Sequence, residues 1–368
     1  MKKKTLALLL CLSMAFSLFL AGCSQKTSNT TKDGDKEEVL SLSIAATPFS
    51  GNVLHYIADY CGFYKEEGLD VEIQYINGFS DLLEAVNSGA VDVATTYGTS
   101  SPLNEISNGR NVTIFAGYML QGCMPILARK GTEFTGAESF VGKTITSRGG
   151  GGGASVPIFK ALIDKGYDPV NDVKWMHGVD QTVAMEMCSK GEADFVVGTT
   201  GIQTTAKDFG LEPVAFLSDL MPEYSCCRIW STTDWFNNNQ EAALRALRAW
   251  IRAEEVLEND PKLAVKLTVE NTDLTQEYVE GFELDPHWMV NLDPHWKGVS
   301  KSADILGEVG VIQPITHDKL AQYFNCSLYK QALDECQKKY GDKDPDFYEK
   351  YQNSYLEANA EYIDKYMK

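Results

Sequence analysis

The chain has 368 residues, 44% of them hydrophobic and 23% charged, a profile that excludes a disordered or fibrous protein and leaves room for two lobes. Its formal charge of −18, with no basic cluster to offset it, excludes a nucleic-acid binder. Nine cysteines without a CxxC pair give neither a disulfide framework nor a zinc knuckle.

Lys2, Lys3 and Lys4 precede an apolar run from Leu6 to Leu20, the pattern of an export signal and too short for a comfortable membrane span. The LAGC sequence at Leu20 to Cys23 resembles a bacterial lipobox. That resemblance implies removal of residues 1–22, a lipid anchor on Cys23, and a location on the outer face of the cell membrane. Residues 23–39, rich in Lys, Ser, Thr, Asn, Asp and Glu, read as a disordered tether. Loss of the leader removes three lysines and no acid, taking the charge from −18 to −21; an anionic ligand would then depend on local donors. Cys61, Cys123, Cys188, Cys226, Cys227, Cys326 and Cys336 remain and read as buried thiols, the neighbours Cys226 and Cys227 standing out.

From Leu40 the pattern alternates strand and helix. A first strand through Leu42 and Ile44 ends in TPFSGN, Thr47 to Asn52, before a helix carrying Leu54, Ile57, Ala58 and Cys61 on one side. Gly68 stops the helical part, and Val71, Ile73 and Tyr75 alternate as a strand. This rhythm predicts right-handed crossovers and a mostly parallel sheet.

Residues 77–98 and 177–201 share one plan about a hundred residues apart: an apolar helix, a Ser/Lys-Gly stop, an Asp, a short apolar strand and a Thr/Gly loop. A repeated α/β unit predicts two similar lobes, each offering a polar loop at its strand ends, where open α/β sheets bind ligands. The expected boundaries are 40–125 plus 228–368 for lobe 1 and 126–227 for lobe 2, with Cys123 to Arg129 and Cys226 to Thr232 as crossings. Strands are expected at Val141 to Ser147, Val173 to Met176, Phe195 to Val197 and Val214 to Phe216.

Thr144 to Ser147 runs into five glycines, Gly149 to Gly153, and then into a helix with Ser155 as N-cap and Pro157 in its first turn. Backbone N–H groups unshielded by a Cβ at a helix start suit an acceptor or an anion. Farther on, helices are expected at Gln240 to Asn259, at Pro261 to Glu270, and from Asp344 and Pro345 to the end. In the last of these, Tyr348, Tyr351, Tyr355, Tyr362 and Tyr366 form a stripe suited to packing on lobe 1.

The segments Leu54 to Ile73, Asn87 to Ala94, Val141 to Gly152 and Lys190 to Val197 resemble those of the solute-binding lipoproteins of ABC importers for nitrate, sulfonates, taurine and thiamine-precursor pyrimidines. The resemblance implies an α/β, two-lobed periplasmic-binding-protein fold of type II with two crossovers, here with a C-terminal helical extension. It implies a monomer without cofactor that closes on a small ligand and hands it to an ABC permease and its ATPase. By position it places the ligand at Thr47, Phe49, Ser50, Gly51, Asn52, Thr96, Tyr97, Gly98 and Thr99 of lobe 1, and at Ser147, Arg148, Gly149, Gly150, Thr199 and Thr200 of lobe 2. Phe49, Tyr97 and Trp175 are candidates to stack on a ring. Arg148 is the foremost anion ligand and Arg228 the second.

An enzyme of pyrimidine-precursor type, or a ligand-sensing lipoprotein, are the alternatives on the same fold. No nucleophile, base and orienting group coincide at these motifs, so no catalytic residue is assigned. LDPHW occurs twice, at Leu284 to Trp288 and Leu292 to Trp296. It reads as turn chemistry and packing, and no metal site is expected.

Overall fold

The computed structural model describes residues 38–48, 51–147 and 153–367. The leader, Cys23 with most of the tether, Phe49, Ser50, Arg148, Gly149 and Gly150 lie outside the described residues.

From Glu38 onward the chain is built on two sheets of one topology. The first holds β1 (Leu40–Ala46), β2 (Leu69–Tyr75), β3 (Val93–Ala94), β4 (Val112–Gly117) and, much later in the chain, β11 (Arg228–Thr232), in the order β2-β1-β3-β11-β4. The second holds β6 (Pro125–Arg129), β7 (Thr144–Ser147), β8 (Lys174–His177), β9 (Phe195–Val197) and β10 (Leu211–Phe216), in the order β8-β7-β9-β6-β10. In both, three parallel strands are followed by an antiparallel one that has just crossed from the other sheet: β11 between β3 and β4, β6 between β9 and β10. Each sheet is therefore mostly parallel, as the strand-helix rhythm predicts, with the crossing strand alone inserted against the direction of its neighbours.

The repeated unit is equivalent in detail. The helices Phe79–Ser88 and Gln181–Lys190 both end on a glycine in the left-handed region, Gly89 and Gly191, which only the missing Cβ makes inexpensive. Immediately before each following strand stands an Asp with the same task. Asp92 accepts the backbone N–H of Ser43 in β1 at 2.7 Å, and Asp194 accepts that of Thr144 in β7 at 2.9 Å. Each carboxylate thus stitches its unit to the neighbouring parallel strand, β1 in one sheet and β7 in the other.

The sequence-derived elements hold at Gln240–Asn259 and Phe195–Val197. Strand β7 starts three residues later than the apolar pattern suggests, because Ala137–Phe140 turns as a 3-10 helix and Gly142 adopts φ 74°. Beyond β11 the chain is helical and packs on the first sheet. The Gln240–Asn259 helix buries Leu244, Leu247, Trp250 and Ile251, with the Trp250 indole donating to the Tyr64 hydroxyl at 2.8 Å. Pro345–Tyr366 lies against it: Tyr348 donates to Glu255 at 2.9 Å and Tyr351 to Glu258 at 2.5 Å, and Tyr348, Tyr351, Tyr355 and Tyr362 are buried. Each buried ring of this kind adds roughly 1.5–3 kcal/mol of apolar burial.

Candidate functional site

Two stretches connect the sheets, 118–124 going out and 217–227 coming back, and they are bonded to each other. Cys226 N donates to Leu120 O at 3.2 Å, Cys227 N to Met119 O at 2.9 Å, and Tyr118 N to Cys227 O at 3.1 Å. A third strand lies alongside: β5 (Met119–Gly122) pairs antiparallel with β12 (Trp288–Val290), which runs between the two LDPHW copies. Arg228 joins all three. Fully buried, it donates to Met119 O at 2.9 Å and to Asp293 O at 2.6 Å. Burial pulls its guanidinium down to about 10, which leaves it charged at neutral pH. Arg228 is a staple of the hinge: its two terminal nitrogens are spent on backbone carbonyls, and its buried Nε has no hydrogen-bond partner among the described residues.

The other hinge groups are equally committed. Burial pushes the Asp293 carboxyl up to about 6, opposed by the Asn359 amide, which donates to it at 2.8 Å. The Cys227 thiol donates to the Cys226 sulfur at 3.7 Å; that bond and burial hold it well above the ordinary thiol value. The non-glycine residues in the left-handed region among those described are Cys123 (φ 47°), directly after β5, and His295 (φ 61°), the N-cap of the Trp296–Glu308 helix. The histidines and aspartates of the two LDPHW copies serve turns: Asp285 accepts His287 N at 2.8 Å, and Asp293 accepts His295 N at 2.6 Å. Among the described residues no group of three or more His, Cys, Asp or Glu is placed to hold a metal ion.

On the first sheet the predicted residues come together at the ends of β1 and β3. Thr47 N donates to Thr96 Oγ1 at 2.8 Å, the two hydroxyls lie 3.0 Å apart, and Asn52 Nδ2 donates to Thr47 O at 2.8 Å. Gly51 has φ 108°, and a Cβ there would meet the Met119 methyl at 2.8 Å, so this loop presses on the hinge. The buried Tyr97 hydroxyl reaches Ala46 O at 3.1 Å and Ile76 O at 2.8 Å, tying the loops after β1 and β2. Gly98 bridges to Cys227, and the Thr99 hydroxyl donates to Ser225 O. Tyr97 and Thr99 therefore build the frame of this half.

On the second sheet, Ser147 ends β7 and its hydroxyl lies 2.8 Å from His177 Nδ1 at the end of β8. Desolvation lowers the His177 pKa below its ordinary value, so the ring is neutral at pH 7. Trp175, two residues back on the same strand face, stacks on His177 at 5.2 Å, meets Phe159 edge-on and donates its indole N–H to Pro169 O at 2.7 Å. Its ring is a packing element. Thr199 N donates to Gln181 Oε1 at 3.0 Å, and the Thr200 hydroxyl donates to Gly122 O at 2.6 Å. Gly198 is required at its place: a Cβ would sit 2.5 Å from Ile202 and 2.8 Å from Pro125.

The two halves meet through helices. Val156 and Phe159, at the start of the Val156–Asp164 helix that follows β7, are buried in the same apolar cluster as Tyr97 after β3 and Met119 of the outgoing connection. The Gln276–Glu283 helix reaches over from the C-terminal part: Tyr278 OH donates to Thr200 O at 2.7 Å and Gly281 O accepts from Gln203 at 2.7 Å. A cavity of about 570 Å³ also opens between Lys160 and Leu220 on one side and Lys297 and Asp304 on the other, but none of the strand-end residues lines it.

His177 and Gln181 were not picked out by the sequence. Their signal was present in the repeated unit, since HGVDQ opens the second copy at a strand end. A lone His and a Gln at a helix start read as turn chemistry until Ser147 and Thr199 are seen to face them.

A family model described as NMT1/THI5 like matches residues 52–264. The formylaminopyrimidine-binding protein of Halalkalibacterium halodurans is 25% identical over 266 residues, covering 70% of this chain and 76% of that protein. Among solved structures, the periplasmic aliphatic sulphonate binding protein of Escherichia coli superposes with a TM-score of 0.64 at 14% identity, covering 79% of this chain and 99% of the other. The periplasmic nitrate-binding protein of Synechocystis PCC 6803 gives 0.65 at 15% identity, covering 81% and 89%. The fold is thus that of the periplasmic binding proteins, two lobes on a two-stranded connection. With its family model spanning more than half of the sequence, this chain belongs to the NMT1/THI5-like family.

Proposed function

We propose that the chain is an extracytoplasmic solute-binding protein, anchored by lipid on Cys23, that captures a small ligand between its strand-end loops and delivers it to an ABC permease and ATPase. The observation that carries this reading is the pair of equivalent sheets joined by a bonded hinge, each presenting hydroxyls and amides at its strand ends. Ligand touching both halves favours the closed state by its differential affinity. The ligand class is a thiamine-precursor-type pyrimidine, with nitrate or a sulfonate as the other candidate. The pyrimidine is favoured by the relative named above and by the neutral character of the described loop groups, His177 included. Phe49, Ser50, Arg148, Gly149 and Gly150 belong to the proposed set, with Arg148 as the arm for any anionic group.

An enzymatic reading would start from Ser147 and His177. The hydroxyl contacts Nδ1, the ring is stacked on Trp175, and the nearby Asp180 carboxylate is occupied by Thr182 N at 2.9 Å. These contacts support positioning and binding over catalysis.

Thermal unfolding of the purified chain against aminopyrimidines, N-formyl aminopyrimidines, nitrate and alkanesulfonates tests the reading. A ligand at 100 times its dissociation constant adds about 2.7 kcal/mol of stability, and no response to any of them overturns it. Mass spectrometry of the N-terminal peptide from membranes tests the anchor: a diacylated Cys23 is expected, and an unmodified cysteine removes that part of the proposal.

A further inference from the structure

We propose that Gln181 is a ligand-contacting residue of the second lobe, its side-chain NH₂ donating to a neutral in-plane acceptor, a ring nitrogen or carbonyl oxygen, of a planar heterocycle. The assignment rests on the binding-protein reading above and names the group that sets its specificity.

Gln181 is the first residue of the Gln181–Lys190 helix and follows the end of β8. Only 9% of it is exposed, an unusual depth for a glutamine at a helix start. Its two amide atoms have unlike fates. Oε1 accepts the Thr199 N–H at 3.0 Å, and because a backbone N–H only donates, that bond fixes which end of the amide is oxygen. Nε2 is then held on the opposite side, buried and without a hydrogen-bond partner among the described residues. Buried side-chain donors in folded proteins are satisfied in their large majority, so this one is open to an acceptor that a bound ligand supplies.

Its place supplies the rest. Thr199 is in the loop after β9 and the neighbouring strand ends carry Ser147 and His177, the set presented by this lobe. The capping of the helix is done by Asp180, which takes Thr182 N at 2.9 Å and Val183 N at 3.3 Å, so Gln181 is not needed as a cap. An amide donor is uncharged and directional. It suits a lone pair lying in the plane of a ring, and it gives none of the charge compensation that a desolvated oxyanion needs.

The test measures affinity by calorimetry for 4-amino-5-hydroxymethyl-2-methylpyrimidine and its formylamino analogue, with nitrate and ethanesulfonate as second arms. It uses wild-type chain, Gln181→Leu and Gln181→Glu. The Glu variant keeps an oxygen for Thr199 N and replaces only the donor, so an unaltered melting temperature separates lost contact from lost fold. Expected is a loss of roughly tenfold or more for the pyrimidine probes in both variants. Pyrimidine affinity within twofold of wild type in both overturns the assignment of Gln181 alone. Wild-type binding of the oxyanions but not the pyrimidines overturns the neutral-acceptor chemistry. Wild-type binding of no probe overturns the binding reading and this assignment with it.

Discussion

The loops after β3 and β9 come from the two copies of one unit, yet they are held differently. Both use a threonine hydroxyl to grip a hinge carbonyl, and they grip opposite connections: Thr99 holds Ser225 on the returning stretch, Thr200 holds Gly122 on the outgoing one. Thr99 is buried at 1% exposure, and its loop is further fixed by Gly98 against Cys227 and by Tyr97 against Ala46 and Ile76. Thr200 is half-buried and needs an outside brace, the Tyr278 hydroxyl from the Gln276–Glu283 helix. The difference teaches that the first half of the site is a rigid part of its own sheet. The second half is held in place by the C-terminal extension.

Both halves depend on the shared hinge, so the largest effect is expected there. Replacing Arg228 by Met leaves Asp293 O and Met119 O without their charged donor and should cost roughly 3–5 kcal/mol in urea unfolding. A loss under 1 kcal/mol would show that the staple is dispensable and the halves are held independently.

Next is a pH effect confined to the first half. Burial, aided by Glu258, pushes the Glu254 carboxyl up to about 8 from 4.5, so the folded chain keeps this proton longer than the unfolded one. Its contribution is present below pH 4.5 and is lost as pH rises towards 8. Glu254→Gln should therefore be the more stable form by roughly 2–4 kcal/mol at pH 8, with little difference at pH 4.5. A parallel pair of stability curves would contradict the buried placement. On the acid side the sign reverses: burial pulls His55 and His295 down to about 3 from 6.5, so their contribution is lost as pH falls through that range.

A direct comparison follows from the two threonines. Thr99→Val should cost roughly 2–3 kcal/mol, taking the hydroxyl donor from the buried Ser225 carbonyl, and Thr200→Val about 1 kcal/mol. Equal losses would erase the distinction between a self-supported and a braced loop. Smallest is Lys207→Ala, which removes the exposed ion pair to Glu277 at 2.8 Å between the second lobe and its brace. Little or no change in urea unfolding is expected, since both side chains are largely in water.

Much of this architecture was legible in the sequence because the repeated unit spells out its local chemistry. Gly89 and Gly191 stop helices, and Asp92 and Asp194 stand before short apolar strands, whatever the rest of the chain does. What periodicity does not carry is partnership over distance. Strand order, the antiparallel insertion of β6 and β11, and the three-residue β12 depend on pairings between segments far apart in the chain. Arg228 illustrates the limit within the site: an arginine at a crossing reads as an anion ligand, and only the surrounding carbonyls reveal a buried tie. For Tyr97 and Thr99 the sequence shows a polar loop at a strand end but not where their hydroxyls are spent.

The Asn359 amide has a consequence for the far end of the chain. Its NH₂ donates to Asp293 at 2.8 Å and its oxygen accepts the Trp296 N–H at 3.0 Å, both on the segment that runs beside the hinge. The Pro345–Tyr366 helix is thereby tied to the segment beside the connecting strands. Under the proposed lobe closure, replacing Asn359 would loosen the segment beside the connecting strands without touching a strand-end loop.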